Sequence, residues 1–530
     1  MTLVDLVRLI TDTACEEGSL CLSLVVLLVT VVVVSWYLWM PRILNKGKPP
    51  LPPGPRGLPF VGILPFLEAG GIHRYFAKLA ETYGPIMKLQ LGSKLCVVLS
   101  SSSTAKEVLK DHDAIFANRD PNVAAMTVSY GGSDITWSPN GANWRMMRKI
   151  FTQELMSSKS LDACYRLRQQ EVRKMVREVY SKTGEMINIS EMIFRTMFNL
   201  VLNMLCGGML CEEDKVAISA ELRPVIKQMI ALVAKPNISD VFPVLAQFDA
   251  QGIRSEGKKL SSEMDRIFNS ILERRLHMDD EMKGKGSKDN DESKDFLQIL
   301  LQLKQEGDSR SLTIAQLKNL FLDAIAGATD STSINVEWAM AELMLNPEKL
   351  KKAKEELDQV VGMNNIVEEY HLSKLPYLDV VLKEAHRLHP VVPLLVPHRS
   401  SESCTVGGYT VPKGATVFIN VWKMHRDPDE WESPLEFIPE RFLADSDKYD
   451  YRGNNFNFLP FGSGRRICVG IPLATKMGLY VMTSLLHSFD WELLKKEQLD
   501  LLDKYRILSK IATPLEITPT PRLPNQELYL

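Results

Sequence analysis

The sequence predicts a mainly α-helical protein with small β-sheets, preceded by one N-terminal transmembrane helix. Apolar residues recur at helical spacing, opposite charged faces, over Leu161 to Val179 and Asn335 to Val361. Strand-like segments are fewer and shorter, such as Ile86 to Val98 and Gly408 to Ile419. The run Leu20 to Met40 contains no charged residue, and a helix that crosses a bilayer needs about 20 apolar residues.

Composition restricts the class of protein. The 530 residues carry 63 basic and 65 acidic side chains, a balance that argues against a nucleic-acid-binding protein. No Gly/Ser-rich or Pro-rich linker divides the chain after its N-terminal region, so we expect one large hydrophobic core. The eight cysteines form no C-x-x-C pair, which gives no sign of a zinc site or a disulfide framework and fits a reducing, cytosol-facing domain.

The charges around the apolar run predict its orientation. Arg42, Lys46 and Lys48 follow the run, whereas acidic residues predominate before it, and basic flanks stay on the cytoplasmic side. A cleaved signal peptide is the alternative, but the run is too long and lacks a small-residue cleavage site. We expect residues 1–19 to form a short lumenal N-terminus, 20–40 a transmembrane anchor, 41–62 a basic and Pro-rich hinge, and 63–530 a cytosolic domain. Within that domain, the highly charged stretch Met278 to Lys294 is expected to be a mobile loop.

The decapeptide FGSGRRICVG, Phe461 to Gly470, carries the clearest chemical signal. Its single thiol, Cys468, is surrounded by glycines and arginines, and a thiolate needs hydrogen bonds and nearby positive charge to stay deprotonated. Arg465 and Arg466 supply that charge, and Phe461 can shield the sulfur from water. The alternative is a surface turn with an inert cysteine. The pattern F-x-x-G-x-R-x-C-x-G resembles the signature of the cytochrome P-450 family.

That resemblance implies the cytochrome P-450 fold and a heme b cofactor, iron protoporphyrin IX, with Cys468 as the axial iron ligand. A thiolate ligand favours O–O bond cleavage in this class. Trp144 and Arg148 lie four residues apart, so on a helix they share a face and resemble the propionate-binding pair. Alone, such a pair is more often a packed indole beside a solvated arginine. His398 occupies the place of a propionate-binding Arg or His, with a hydrogen-bonded core histidine as the alternative.

A further motif is formed by Glu384 and Arg387 in KEAHRLHP, and it resembles the family's E-x-x-R pair. Arg441 in the downstream segment FIPERF falls where the family has the third member of a buried charge network. The implied role is structural: the network should hold the region that carries the ligand loop. Loss of one partner would leave a buried charge unpaired at a cost of about 3–5 kcal/mol.

The segment FLDAIAGATDSTS, Phe321 to Ser333, places an acid and hydroxyls inside an otherwise apolar helix, although such side chains weaken a helix interior. It resembles the family's oxygen-activation groove. Asp330 and Ser331, with Thr332 adjacent, would relay protons to the site of oxygen reduction through a water held by a loosened helix. Two departures stand out: Ala328 replaces the usual second glycine, and Ser331 replaces the usual threonine, whose methyl group restrains its rotamer.

Taken together, the resemblance implies an NADPH- and O2-dependent monooxygenase of the plant microsomal type, bound to the endoplasmic reticulum. The sequence has no G-x-G-x-x-G after a strand, so electrons should come from a separate NADPH-cytochrome P-450 reductase, with cytochrome b5 as a further candidate partner. The expected substrate is a small apolar metabolite, a sesquiterpene or diterpene first and a flavonoid or other phenylpropanoid as the alternative. The expected pocket residues are largely aliphatic: Ala324, Ala328, Val392 and Leu394.

Two other classes of protein remain alternatives. A hydroperoxide-rearranging haem enzyme would need no reductase, but it would have little use for Asp330 and Ser331. A haem-free membrane scaffold would keep the anchor yet tolerate loss of Cys468, Glu384 and Arg387, all of which are intact.

Overall fold

The computed structural model describes residues 25–31, 49–68, 71–206, 212–284, 295–305, 312–444, 448–493, 501, 503–505 and 507–530. The lumenal segment and most of the expected anchor therefore lie outside the described residues. Residues 25–31, in the middle of the apolar run, are helical.

Helices make up most of the described chain. Their bounds are α1 Ile72–Tyr83, α2 Ser102–Lys106, α3 Asp113–Phe116, α4 Val123–Val128, α5 Ala142–Ile150, α6 Ser158–Ala163, α7 Tyr165–Ser181, α8 Ile189–Cys206, α9 Glu212–Val233, α10 Ile238–Val241, α11 Ile253–Gly284, α12 Phe296–Gln305, α13 Ile314–Leu345, α14 Pro347–Val360, α15 Glu369–Leu372, α16 Pro376–Leu388, α17 Val421–Met424 and α18 Ile471–Ser488.

The strands are short and form small sheets. Their bounds are β1 Ile86–Leu91, β2 Lys94–Leu99, β3 Asn118–Arg119, β4 Ile187–Asn188, β5 His398–Arg399, β6 Cys404–Val406, β7 Tyr409–Val411, β8 Thr416–Ile419, β9 Phe489–Glu492, β10 Asp503–Tyr505, β11 Ser509–Ile511 and β12 Glu516–Pro521. The predicted mainly helical class with small sheets is confirmed.

Helix α13 forms the centre of the core. It packs against α8, α16 and α18, and most of its residues are buried on every side. Its start is fixed by a capping box, in which the Thr313 hydroxyl accepts from the Gln316 N–H and the Gln316 side chain accepts from the Thr313 N–H. It ends at Leu345, one residue before Asn346 and the Pro347 that opens α14.

The largest sheet has the strand order β1-β2-β8-β5-β3. Strands β2 and β8 are parallel, and the other neighbours in this sheet are antiparallel. Pairing of β3 with β5 sets Arg119 opposite His398, although the two residues are far apart in sequence. A smaller sheet joins β4, β12 and β9, and β10–β11 and β6–β7 are two-stranded.

The helical periodicity located the helices but not their breaks. The segment predicted as Leu161 to Val179 is divided at Cys164 between α6 and α7. The segment Asn335 to Val361 is divided at Asn346, because Pro347 has no N–H to continue the helix and is accepted only in a first turn. The charged stretch expected to be a mobile loop begins inside α11, which runs to Gly284. That part of the prediction was wrong, and residues 285–294 lie outside the described residues.

Among the described residues, α8 is long and apolar enough to cross a membrane, but 78% of it is buried inside the protein. It packs against α13 and α7. Its composition therefore reflects a position in the core.

Candidate active site

Cys468 lies just before α18, at the end of a loop that turns on two glycines with positive φ, Gly462 and Gly464. The Cys468 N–H donates to the Phe461 carbonyl at 3.0 Å, which closes the loop. The Gly470 N–H donates to Cys468 Sγ at 3.4 Å. A Cβ at Gly464 would lie 2.3 Å from the Leu109 carbonyl oxygen, so this position requires glycine both for its φ and for space.

The Cys468 thiol is solvent-accessible, yet it is surrounded by enough protein that burial raises its pKa. A sulfur that faces an opening inside the protein explains both its solvent accessibility and its raised pKa. The Gly470 N–H and the Arg148 cation oppose the rise in pKa. A thiolate at this position calls for further positive charge, which a bound metal ion supplies.

Arg466 and Trp144 form one packed unit beside the loop. The Arg466 guanidinium lies 4.1 Å from the Trp144 ring centroid and donates to the carbonyls of Ala117 at 2.6 Å, Ile135 at 3.1 Å and Ser138. Trp144 Nε1 also donates to Ile135 at 3.0 Å. Both side chains therefore anchor the Ile135 segment in this structure.

Arg148 and His398 also have partners within the protein. Arg148 Nη2 donates to the Ile467 carbonyl at 2.6 Å, next to Cys468. His398 Nδ1 lies 2.8 Å from the Phe116 carbonyl and therefore carries the proton. Burial, and then the nearby Arg119 cation, lowers the pKa of His398 well below its usual value. Its Nε2 could donate to a carboxylate only if a second proton were bound.

The three predicted network residues meet. Glu384 and Arg387, both 0% exposed, pair at 2.7 Å, and Arg441 Nε lies 3.1 Å from Glu384 Oε1. Arg387 also donates to the carbonyls of His425, Pro434 and Glu436, each within 3.0 Å. The network thus fastens α16 to the segments that lead to the ligand loop.

The predicted groove residues project in different directions from α13. The Ser331 hydroxyl donates to the Gly327 carbonyl at 2.7 Å. Asp330 Oδ1 pairs with Lys510 Nζ at 2.7 Å. Thr332 is buried towards α18, where its methyl carbon would lie 3.9 Å from a Cβ at Gly478, and its hydroxyl has no hydrogen-bond partner among the described residues. The helix continues without a break through all three residues, so the expected loosening is not observed.

The four expected pocket residues do not form one wall. Ala324 is buried, while Ala328 and Val392 are partly buried against the main core. Leu394 packs instead in a separate small core with Phe76, Met87 and other residues under α1. Leu394 was expected to line the pocket. Its side chain instead fills the space between β1, β2 and α1.

Sequence reasoning missed Arg119. It is partly buried and donates to the Val396 and Pro397 carbonyls. Its Nε is buried and has no partner among the described residues. Burial, followed by the charges of Arg466 and Arg148, lowers the pKa of Arg119 to about 9. An arginine in the segment FANRD gives no signal by itself, because only the β3–β5 pairing brings it to the site.

A pair of acids, Asp134 and Asp323, was missed as well. Asp323 Oδ2 accepts from the Ile135 N–H at 2.8 Å, which ties the segment before α5 to α13. Burial raises the pKa of Asp134 to about 7. Burial and then the Asp134 charge raise the pKa of Asp323 well above its usual value.

The residues fit a haem. Gly327 is exposed although it lies in the middle of the buried helix α13, and a Cβ there would meet nothing within 4 Å, so a flat group can approach the backbone. The cations Arg119, Arg148 and Arg466 act on one another's pKa or on that of Cys468, which places positive charge where two propionates could be neutralised. Three features together define a haem-thiolate protein. They are an accessible thiol in a loop that turns on glycines, a cluster of arginines nearby, and a helix whose backbone is exposed at Gly327.

The chain belongs to the cytochrome P-450 family, whose model matches residues 52–518. Flavonoid 3'-monooxygenase of Arabidopsis thaliana is 38% identical over 513 residues, which cover 95% of this chain and 98% of that protein. Geraniol 8-hydroxylase of Swertia mussotii is 39% identical over 478 residues, covering 89% and 94%. A zebra fish cytochrome P-450 structure with progesterone has a TM-score of 0.71 at 25% identity, and the match covers 85% of this chain and 99% of that one.

The predicted class of enzyme is therefore confirmed. The protein is a plant cytochrome P-450 monooxygenase, an oxidoreductase that uses heme b and takes electrons from an NADPH-dependent reductase. It binds a small substrate. The two alternatives from other classes, a hydroperoxide-rearranging enzyme and a haem-free scaffold, do not fit the monooxygenase relatives.

Proposed function

We propose that this enzyme hydroxylates a small, largely apolar plant metabolite, with a flavonoid or other phenylpropanoid as the first candidate substrate. The supporting observation is near-full-length similarity to flavonoid 3'-monooxygenases of two plants, each 38% identical. This reverses the order expected from the sequence, which put a sesquiterpene or diterpene first. A terpenoid stays the second candidate, because geraniol 8-hydroxylase is 39% identical.

In the proposed mechanism the haem, when bound, supplies the iron that activates dioxygen. Cys468 would hold the haem iron through its sulfur, which accepts from the Gly470 N–H. Phe461 would screen the sulfur; its ring centroid lies 5.1 Å from that of His386 and 5.2 Å from that of Tyr451. The ring contacts fix the orientation of Phe461, which together with the bound haem would keep water from the sulfur.

The haem propionates would be held by Trp144, Arg148, Arg466 and His398, with Arg119 as an addition that the sequence did not suggest. Such binding requires Trp144 and Arg466 to share or exchange their bonds to Ile135. It also requires His398 to gain a proton on Nε2, which a neighbouring propionate charge would favour.

Asp330 and Ser331 would carry protons, and Thr332 would support the helix from its buried side. The Ser331 hydroxyl donates to the Gly327 carbonyl and can redirect its proton by rotation of the O–H bond about Cβ–Oγ, with χ1 unchanged. Ala324, Ala328 and Val392 are the proposed apolar contacts for substrate, since they flank this part of α13 or the turn after α16.

We also propose that the enzyme is anchored in the endoplasmic reticulum membrane by residues 20–40, with residues 63–530 in the cytosol and 41–62 as the hinge. A surface apolar patch supports this proposal. It contains Phe60, 79% exposed, and Val244, 81% exposed, together with Leu58, Phe66 and Phe248. Its two segments both contact the β1–β2 turn, where the Gly92 N–H donates to the Val61 carbonyl at 3.1 Å and the Ser93 N–H donates to the Val241 carbonyl at 2.9 Å. Cytochrome b5 is a proposed second electron donor.

The decisive experiment is product analysis by mass spectrometry from microsomes that contain this enzyme and a plant reductase. The microsomes receive NADPH and a panel of flavanones, flavones, geraniol, sesquiterpenes and diterpenes. An added ring hydroxyl on a flavonoid is the expected result. Turnover of terpenoids alone would overturn the first choice of substrate and leave the reaction class intact. The Cys468→Ser enzyme in the same microsomes is the control for background oxidation.

A further inference from the structure

The hairpin formed by β10 and β11 is fastened to helix α13 beyond the oxygen-activation segment. Trp338 Nε1 donates to the Ser509 carbonyl at 3.3 Å, and the Leu515 N–H donates to Glu337 Oε1 at 3.1 Å. Between these bonds in the sequence, Lys510 reaches Asp330 at 2.7 Å. The hairpin therefore holds two successive turns of the helix.

The backbone of Lys510 is held between buried neighbours, whereas its side chain is partly exposed to solvent. Its neighbours Ser509 and Ile511 are both buried, and Ile511 belongs to the main core. The Lys510 side chain is 46% exposed, whereas the Asp330 side chain is 7% exposed. The ion pair thus joins a buried carboxylate to a cation in contact with water.

A buried carboxylate is costly unless it is paired. Among the described residues, the partner recorded for the Asp330 carboxylate is Lys510. The cation holds this carboxylate on the side of α13 that faces the hairpin, one residue before the hydroxyl of Ser331. The position of Asp330 is therefore set by the hairpin as much as by its own helix.

We infer that Lys510 is a positioning residue for proton delivery: it holds the Asp330 carboxylate at the boundary between bulk water and the active site. In each proton transfer the carboxylate accepts one proton from water and passes one proton on through Ser331, so both side chains end unchanged; two such transfers supply the two protons that each turnover consumes. Lys510 donates no proton to the reaction; its charge and its hydrogen bond fix where the transfer begins. This inference rests on the role proposed above for Asp330.

The test compares Lys510→Met, Lys510→Arg and Asp330→Asn with a matched control, Lys354→Met. Lys354, on α14, also forms a close ion pair, at 2.5 Å with the exposed carboxylate of Asp490. The full-length enzymes are assayed in reductase-containing microsomes with whichever flavanone or geraniol the unmodified enzyme oxidises. The measurements are product formed per NADPH consumed, peroxide released and the solvent isotope effect on kcat.

Two further measurements do not depend on turnover. Imidazole is titrated as a spectroscopic probe of the haem pocket, and hydrogen exchange is followed over the amides of 327–333. We expect Lys510→Met to lower kcat about 10-fold, less than the roughly 10²- to 10⁴-fold contribution of a general acid or base itself, because Lys510 positions the proton carrier and transfers no proton. Peroxide release and the solvent isotope effect should both increase. Imidazole affinity should stay within about 2-fold, because an ion-pair loss of this kind leaves the pocket intact, while exchange near Asp330 becomes faster. Lys510→Arg should keep most of the native behaviour, and Lys354→Met all of it.

The outcomes separate the two proposals. If Asp330→Asn impairs coupling but Lys510→Met behaves like Lys354→Met in both the isotope effect and exchange, the inference about Lys510 is overturned. If Asp330→Asn also leaves coupling and the isotope effect unchanged, the proposed role of Asp330 is overturned along with it. A Lys510→Met enzyme with weakened imidazole binding and an unchanged isotope effect would assign Lys510 a purely structural role, which also overturns the inference.

Discussion

Cys468 shows how one side chain depends on its backbone surroundings. Its loop needs Gly464 where a Cβ would collide with the Leu109 carbonyl, and its sulfur accepts from the Gly470 N–H. Burial alone would keep the thiol protonated, since burial raises its pKa. A thiolate at Cys468 would therefore depend on the charge of the bound iron, with assistance from the Arg148 cation.

Replacing Cys468 with serine should abolish the thiolate signature. We expect the reduced, carbon-monoxide-bound Cys468→Ser enzyme to lack the red-shifted Soret band, because an alcohol oxygen is a poorer donor to iron than a thiolate. Cys404→Ser is the control: Cys404 is a free, half-buried cysteine in β6, and this variant should keep the band. Retention of the band in Cys468→Ser would contradict the proposed ligand.

Ser331 allows a second prediction about a single side chain. We expect Ser331→Thr to lower peroxide release per NADPH by about 2- to 10-fold, the factor that corresponds to a rotamer preference of about 0.5–1.5 kcal/mol. The added methyl restrains χ1 and keeps the hydroxyl near the Gly327 carbonyl. Ser181→Thr, at an exposed serine that also donates to its own helix, is the control. Unchanged or higher peroxide release in Ser331→Thr would count against the proposed role.

The connections between helices and loops are stabilised by buried polar contacts. Glu384 and Arg387 come from one turn of α16, but their bonds reach Arg441, Ile438 and the carbonyl of His425. Asp323 of α13 likewise holds the Ile135 N–H. Each contact positions a loop that has little regular structure of its own.

Glu384→Gln should be strongly destabilising. The substitution removes the negative charge between Arg387 and Arg441 and leaves buried cations unpaired, which we expect to cost about 3–5 kcal/mol. Urea unfolding of the haem-loaded enzyme measures this cost, and haem retention should fall with it. Glu191→Gln, at the exposed pair with Lys227, is the control and should change stability by about 0–1 kcal/mol. A similar small effect at Glu384 would contradict a structural role for the network.

The assembled core also sets how stability responds to pH. Burial raises the pKa of Asp134 to about 7, above the value of about 3.9 expected in an unfolded chain. At a pH between these two values, the Asp134 carboxyl group has lost its proton in the unfolded state but keeps it in the folded state. This group therefore makes the folded enzyme less stable as pH rises from about 4 to 7.

Asp134→Asn should flatten that dependence. We expect the unfolding temperature of the unmodified haem-loaded enzyme to fall from pH 5 to pH 7 through this group, and the fall to be smaller in the Asp134→Asn enzyme. Asp162→Asn, at an exposed carboxylate, should retain the native profile. Identical profiles for Asp134→Asn and the unmodified enzyme would show that Asp134 does not titrate in this range.

Features encoded by consecutive residues were predictable. The helical class follows from periodicity, because an amphipathic stretch can bury its apolar face only as a helix. The ligand loop and the E-x-x-R pair are also local patterns. Breaks such as those at Cys164 and Asn346 were harder to predict, since periodicity continues across them.

By itself, the sequence determined the fold class, the haem-thiolate chemistry and the need for an external reductase, since each depends on residue types at short, fixed spacing. Only the tertiary structure decided that Arg119 lies opposite His398, that Leu394 packs under α1, and that Lys510 pairs with Asp330. These contacts join residues separated by long stretches of chain. Their partners are chosen by the packing of whole helices and sheets, which no local pattern specifies.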